Sequence, residues 1–432
     1  MTMIGARCPM AKVRMEKLQA ARMGNHALEM VSDLIGRFGS RLTGTPGCTQ
    51  TAEVLASELS TYCNRVEKEE FSLHPKAFLG WIRILVTLYP VALLCIWLSL
   101  PLFSLLLMGV GLLIMVYEFF LYREVIDRWY PKVTGMNVFG TVEPEQDVRQ
   151  TVVFSGHHDS ARVFNFYTHK PHLYMVRIGT GLGAFLVLSV VSLVQTIVEI
   201  FTGGVFAIGV PAWAFIMAAI PLTVALPWVI KLWFFASEEG TPGAGDNLIS
   251  SAMAVQLARY FKHNAENGNP LHHTRVVLAS FDGEEAGLRG ARDFYARHRN
   301  DPEVLSAKTW NFNVDCPYQA KDLFFLTSDI NGSVKLSQEM ATKCVGIAQS
   351  MGYEAFSQPI AFLTGGTDAA EAAKAGFEAV SLMAMPWDNK ERSSVYHTPN
   401  DLPEAIDPKA VEETLSIAIR FIEQADAAVQ HS

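Results

Sequence analysis

The segment TRVVLASFDGEEAGLRGARDFYARH, residues 274–298, decides the fold class because its character changes twice. TRVVLASF is a short, nearly unbroken apolar run rich in β-branched residues, as a strand buried on both faces requires. DGEEAG, residues 282–287, then brings glycines and carboxylates together, so the strand ends in a polar loop. LRGARDFYARH, residues 288–298, reads as a helix. Strand, loop and helix make the repeating unit of an α/β domain, whose sites form from polar residues at strand ends.

The same grammar extends in both directions. Downstream, TWNFNVDCP (309–317) reads as a strand and loop, 331–351 as a helix, FEAVSLMAM (377–385) as a strand and 407–429 as a closing amphipathic helix. Upstream, 26–38 and 46–62 carry helix-spaced apolar residues, with Thr45 and Pro46 as cap and first helical residue. RVEKEEFSL (65–73) alternates like an edge strand, MNVFGTVEP (136–144) and QTVVFSGHHDS (150–160) read as strands, and GAGDNLISSAMAVQLARYF (243–261) as a loop entering a helix. The expected fold is a three-layer αβα domain with a mixed, largely parallel sheet.

Two apolar blocks interrupt it. No charge separates Arg83 from Glu118, and only Arg177, Glu199 and Lys231 mark the block from Leu173 to Trp233. A bilayer crossing needs about 20 residues, so each block reads as a transmembrane helical hairpin, turning near Ser99–Pro101 and near Gly203–Gly204. The expected organisation is peptide-chain domain over 1–77, hairpin over 78–122, domain again over 123–172, hairpin over 173–235 and domain over 236–432. Lys76, Arg83, Arg123, Arg128, Lys132, Lys170, Arg177 and Lys231 flank the blocks, while neither far turn carries Lys or Arg. That asymmetry predicts a multi-pass membrane protein whose soluble domain faces the cytoplasm, with the lipid bilayer as a partner.

Composition agrees. Hydrophobic residues make up 50% and charged residues 18%, with a mean hydropathy of +0.19. The net charge of −8 and the lack of any basic run argue against nucleic acid as a partner. The 6 cysteines are scattered without a CxxC pair and read as free thiols. The N-terminal stretch has basic residues but no apolar run after them, so no secretory signal is expected there.

Five strand-end or loop positions bring carboxylates and imidazoles out of apolar surroundings: His157-His158-Asp159, Asp246-Asn247, Glu284-Glu285, Asp315 and His397. Singly, each has an ordinary explanation as a cap, a solvated turn or a surface histidine. Together they are a donor set for zinc or a similar divalent ion. A pair of ions needs a bridging carboxylate plus further donors for each, and this chain supplies them.

FGSRLTGTPG (38–47), VFSGHHDS (153–160), GAGDN (243–247), FDGEEAGLRGA (281–291), NVDC (313–316) and YHTPNDLPEAID (396–407) occur in that order. In these motifs the chain resembles the co-catalytic zinc metallopeptidases of the bacterial leucyl aminopeptidase and glutamate carboxypeptidase type. The resemblance implies two Zn²⁺ ions per chain and a peptide substrate. It makes His157 and Asp315 ligands of one ion, Glu285 and His397 ligands of the other, and Asp246 the bridge. Glu284 would be the general base and Asp159 the carboxylate behind His157.

The chain departs from that pattern in places. His158 stands where the family often has an aromatic residue, and reads as a neighbouring loop residue more than as an extra ligand. The family's Ser-Asp-His run survives only as Gly366-Thr367-Asp368-Ala369. The second apolar block fills the interval between His157 and Asp246, where soluble relatives have a short loop. Two other readings compete with an aminopeptidase-type exopeptidase: a single-zinc glutaminyl cyclase, which resembles the same fold, and an inactive membrane scaffold. The complete ligand set favours the exopeptidase.

Overall fold

The computed structural model describes residues 9–202, 208–209, 211–386, 392 and 394–430. Two compact units emerge from one chain. The first comprises the stretch up to Leu73, Lys132–Arg162 and everything from Gly240 onward; the second comprises His74–Pro131 and Val163–Glu239.

In the first unit, α1 (Pro9–Phe38) and α2 (Pro46–Tyr62) lead into β1 (Arg65–Leu73), β2 (Val133–Val142) and β3 (Gln150–His157). Then come α3 (Ile249–Glu266), β4 (Thr274–Phe281), α4 (Arg289–His298), β5 (Thr309–Pro317), β6 (Leu323–Asp329) and β7 (Val334–Lys335). The unit closes with α5 (Gln338–Ser350), β8 (Phe356–Pro359), α6 (Ala369–Lys374), β9 (Glu378–Ala384) and α7 (Pro408–Gln430). The strands form one sheet in the order β1-β2-β4-β3-β5-β9-β6-β8, with β7 paired to β6.

Its centre is parallel: β4, β3, β5 and β9 run together. Antiparallel pairs join β1 to β2, β2 to β4 and β9 to β6. Every residue of β3 and β4 is buried, because helices cover both faces of a parallel centre. Helices α1, α3 and α7 pack on one another, and α4 packs on α6. This is the expected αβα sandwich with a mixed sheet. The edge strand β1 keeps Glu67, Lys68, Glu69 and Glu70 along its length, and charges on an edge discourage further pairing.

One close approach fixes the centre of the sheet against α3. A Cβ on Gly156 would lie 1.9 Å from Ser250 Oγ, so only glycine lets the start of α3 sit against β3.

The structure differs from the sequence reading at three places. The first helix begins at Pro9, well before residue 26. The stretch 331–351 is not all helix: Asn331 and Gly332 take positive φ, Val334–Lys335 pair with β6, and α5 starts only after Ser337, whose Oγ accepts from the Met340 amide at 3.2 Å. Strands β6 and β8 have no counterpart in the reading. LFFLTSD lacks alternation, so its period does not announce a strand.

The second unit contains helices Gly80–Trp97, Pro101–Met115 (extended by Val116–Phe120), Tyr174–Thr202 and Trp213–Lys231. The first two turn at Ser99–Pro101 as expected; Gly203–Gly204, the other expected turn, lies outside the described residues. Within the unit, Trp81, Leu85, Tyr89, Leu93, Ile96, Met108, Phe185, Leu188 and Leu222 form a core. Tyr89 is therefore interior, donating its hydroxyl to the Leu222 carbonyl at 2.9 Å. Leu94, Leu106, Val110, Leu113, Val190, Met217 and Val224 point outward and are exposed. All four helices are long and apolar enough to cross a membrane. Arg162–Phe164 and Ala236–Gly240 pair as a short two-stranded sheet of their own.

Candidate metal centre

Because β4, β3 and β5 are adjacent and parallel, their C-terminal ends open on the same side. His157 ends β3, Asp315 lies near the end of β5, and Glu284 and Glu285 follow β4 across Gly283, whose φ is +71. Asp246 arrives from the loop before α3, and His397 from the loop before α7.

The donor atoms of His157, Asp246 and Asp315 lie within 4.8 Å of one another, and so do those of Asp246, Glu285 and His397. Asp246 belongs to both groups and divides its oxygens between them. Its Oδ1 is 3.4 Å from His157 Nε2, and its Oδ2 is 3.0 Å from His397 Nε2. Asp315 Oδ1 is 4.0 Å from His157 Nε2, and Glu285 Oε1 is 3.3 Å from His397 Nε2. Glu284 Oε2 approaches His157 Nε2 to 3.7 Å.

Asp159 ties the loops together. Its carboxylate is 3.2 Å from His157 Nδ1. It also accepts the amides of Glu284 at 3.3 Å and Glu285 at 3.2 Å, and the Thr43 hydroxyl at 3.2 Å. One buried carboxylate thus orients an imidazole and holds the acidic loop.

Burial and the neighbouring charges shift most of these groups from their ordinary values. Burial raises Glu285 to about 7, with His397 opposing, and burial with the Asp246 charge raises Asp315 to about 6. Burial also pushes Glu284 well up, opposed by His157 and reinforced by Asp315 and Glu285. Burial opposes charge on His397, yet Glu285 and Asp246 carry it to about 10. Asp246 alone is held low, because His157 and His397 outweigh its burial. Carboxylates outnumber imidazoles here, and cations would offset that excess of negative charge. His157 Nε2, Asp246 Oδ2, Glu285 Oε1 and Asp315 Oδ1 are buried without a hydrogen-bonding partner among the described residues. Convergent, unpartnered donors of N/O type fit two zinc ions.

Sequence reading missed the scaffold behind these residues. Arg41 is fully buried and donates to the carbonyls of His158 at 2.8 Å, Pro242 at 2.7 Å, Gly243 at 2.7 Å and Gly39 at 3.1 Å. Asp401 accepts the amides of Gly245 at 2.8 Å and Asp246 at 3.2 Å. Both lie inside quoted motifs, which was the only signal. Asp368 is 1% exposed, and burial pushes its carboxyl well up, with Asp159 and Asp315 adding to the shift against His157. Beside His397, whose ring stacks on Tyr396 with centroids 3.9 Å apart, a cavity of about 210 Å³ is lined by residues including Tyr318, Met385, Arg392 and Tyr396.

Comparison with known proteins agrees with this picture. Residues 232–422 match the model of peptidase family M28. A search of curated proteins gives no match. Among solved structures, a Zn-dependent exopeptidase from Parabacteroides distasonis is similar, with a TM-score of 0.54 at 14% identity over 93% of this chain and 97% of that one. A zinc aminopeptidase from Bacillus subtilis has a TM-score of 0.51 at 14% identity over 92% and 94%. A glutaminyl cyclase from Tannerella forsythia has 0.54 at 13% over 93% and 98%. At these identities the structures speak for the fold alone; the family match and the adjoining donor clusters carry the chemistry. On those grounds the chain is a zinc metallopeptidase, with the part from 232 to 422 similar to peptidase family M28.

Proposed function

We propose that the chain is a membrane-anchored aminopeptidase with a co-catalytic pair of zinc ions. His157 and Asp315 would hold one ion, Glu285 and His397 the other, and Asp246 would bridge them. The observation that carries this reading is the division of the Asp246 oxygens, one toward each histidine. When bound, the ions supply an acidified water and polarise the scissile carbonyl. Glu284 takes the proton of that water and returns it to the leaving amine. Its buried position favours this role, since burial raises the carboxyl and so makes it a better proton acceptor. Asp159 keeps the His157 ring in register and its Nδ1 engaged.

The anchoring belongs to the same proposal. Helices with an apolar core and an apolar exterior suit lipid on their outer faces. The flanking basic residues support a cytoplasmic peptidase domain.

The test is turnover of a panel of aminoacyl-anilides by detergent-purified protein, with and without chelator. Chelator-sensitive cleavage that metal restores is the expected result. Release of ammonia from an N-terminal glutaminyl peptide with no cleavage of the anilides would establish the cyclase reading instead. Inertness toward both, in metal-loaded protein, would leave the scaffold.

A further inference from the structure

A third group of donors lies outside the catalytic set. Cys48, His158 and Asp282 each offer a donor atom within 4.8 Å of the other two. Cys48 is in the first turn of α2, His158 follows β3 and Asp282 follows β4. None is exposed by more than 2%. Cys48 Sγ lies 3.3 Å from Asp282 Oδ1. Zinc bond lengths of about 2.3 Å to sulfur and 2.0 Å to oxygen give a tetrahedral edge of about 3.5 Å, close to that spacing.

The plain alternative is a buried thiol that donates to a carboxylate. It leaves His158 unexplained. His158 Nδ1 is 2.8 Å from Ser280 Oγ, which is in turn 2.6 Å from Ser251 Oγ. The remaining nitrogen, Nε2, is buried and has no hydrogen-bonding partner among the described residues. An imidazole fixed through one nitrogen and left open at the other is how a metal-binding histidine is held. Asp282 is fixed as well: its Oδ2 accepts the Met136 amide at 2.9 Å, and its own amide donates to Asn137 Oδ1 at 3.1 Å.

We infer that Cys48, His158 and Asp282 form a third, structural metal site for zinc or a similar borderline divalent cation. A thiolate, a carboxylate and a neutral imidazole around a dication carry no net charge, as an enclosed site requires. Binding releases the Cys48 thiol proton to solvent, and the thiolate takes its place on the ion. Thiolate, imidazole and carboxylate are all zinc donors, and a fourth position would be left to a water. The site joins α2 to the two segments that carry His157 and Glu284, so it stiffens the frame of the catalytic centre without touching substrate.

Cobalt distinguishes this site from the catalytic pair, because the catalytic donors proposed above are all nitrogen and oxygen. The full-length protein in detergent, stripped and reloaded with Co²⁺, should show a thiolate-to-cobalt charge-transfer band in the near ultraviolet and bind three ions. Cys48→Ser should abolish the band and bind two. Cys316→Ser, which alters the thiol beside Asp315, should keep the band. A fully loaded wild-type protein with no thiolate band overturns the site, and that measurement needs no variant to fold. A band lost with Cys316→Ser but kept with Cys48→Ser overturns it too. Peptidase turnover is scored separately, so either failure leaves the functional proposal standing.

Discussion

Glu284 and Glu285 are neighbours of identical chemistry, yet the loop after β4 sends them to different histidines, 3.7 Å from His157 and 3.3 Å from His397. Glu284→Gln should lower kcat by more than about 100-fold, the usual scale for losing one general base, since it acts in both proton transfers. Metal content measured by elemental analysis should not change. Glu285→Gln should instead lose metal at the catalytic site, and turnover should recover with excess zinc. Equal metal loss in both variants would mean the roles are wrongly divided. Arg41 offers a second residue-scale test. Burial lowers its guanidinium to about 10, still cationic at neutral pH, and its fork serves four carbonyls at once. A lysine has one point charge and cannot span them. Arg41→Lys should cost about 3 kcal/mol or more in denaturant unfolding, because several buried carbonyls lose their donor. A change under about 0.5 kcal/mol would show that the contacts are dispensable.

At the scale of elements, α6 is short, packs Ala369 and Ala372 into the core, and is tied to α4 by one buried carboxylate. Glu371 accepts from Arg292 of α4 at 3.0 Å and from Lys374 at 2.8 Å. Burial alone would raise its carboxyl, but these two cations hold it below the ordinary value of 4.5. A depressed folded-state value stabilises above the unfolded value and is lost as pH falls through the folded one. Glu371→Gln should therefore destabilise by about 1–3 kcal/mol at pH 7, measured by denaturant unfolding. The gap between variant and wild type should close as pH drops below 4.5. A gap that stays constant down to low pH would assign the effect to packing. Sequence reading handled these elements unevenly. It placed α2 and β1 at their observed bounds, from period and from Pro46 at the helix start, although Thr45 donates its hydroxyl to the Leu42 carbonyl at 2.6 Å and does not cap α2. It lost β6 and β8, whose pairing partners are chosen by the sheet and not by local pattern.

For the whole molecule, the proposed topology is the testable quantity. In that proposal each apolar block would contribute an even number of crossings, so every soluble stretch would return to one side, as a site assembled from residues 157 to 397 requires. A reporter fused at Ser432 that works only in the cytoplasm should be active, and one that works only after export should be silent. The reverse pattern would turn the domain outward and change the pool of available peptides. Alkaline carbonate washing should leave the protein in the membrane fraction, and its release would refute integral insertion.

The sequence by itself determined the alternation of strands and helices, the two apolar interruptions and the chemical identity of the donors. These are local facts, set by side-chain period, turn residues and donor type, and they need no partner to be read. Tertiary structure alone decided which oxygen of Asp246 faces which histidine, because that depends on the loop between Gly243 and α3 being held by Asp401 and Arg41. It decided equally that Cys48, His158 and Asp282 meet. They come from α2 and from the ends of two neighbouring strands, and only the parallel pairing of β3 with β4 puts His158 and Asp282 side by side under the first turn of a helix more than a hundred residues away in sequence.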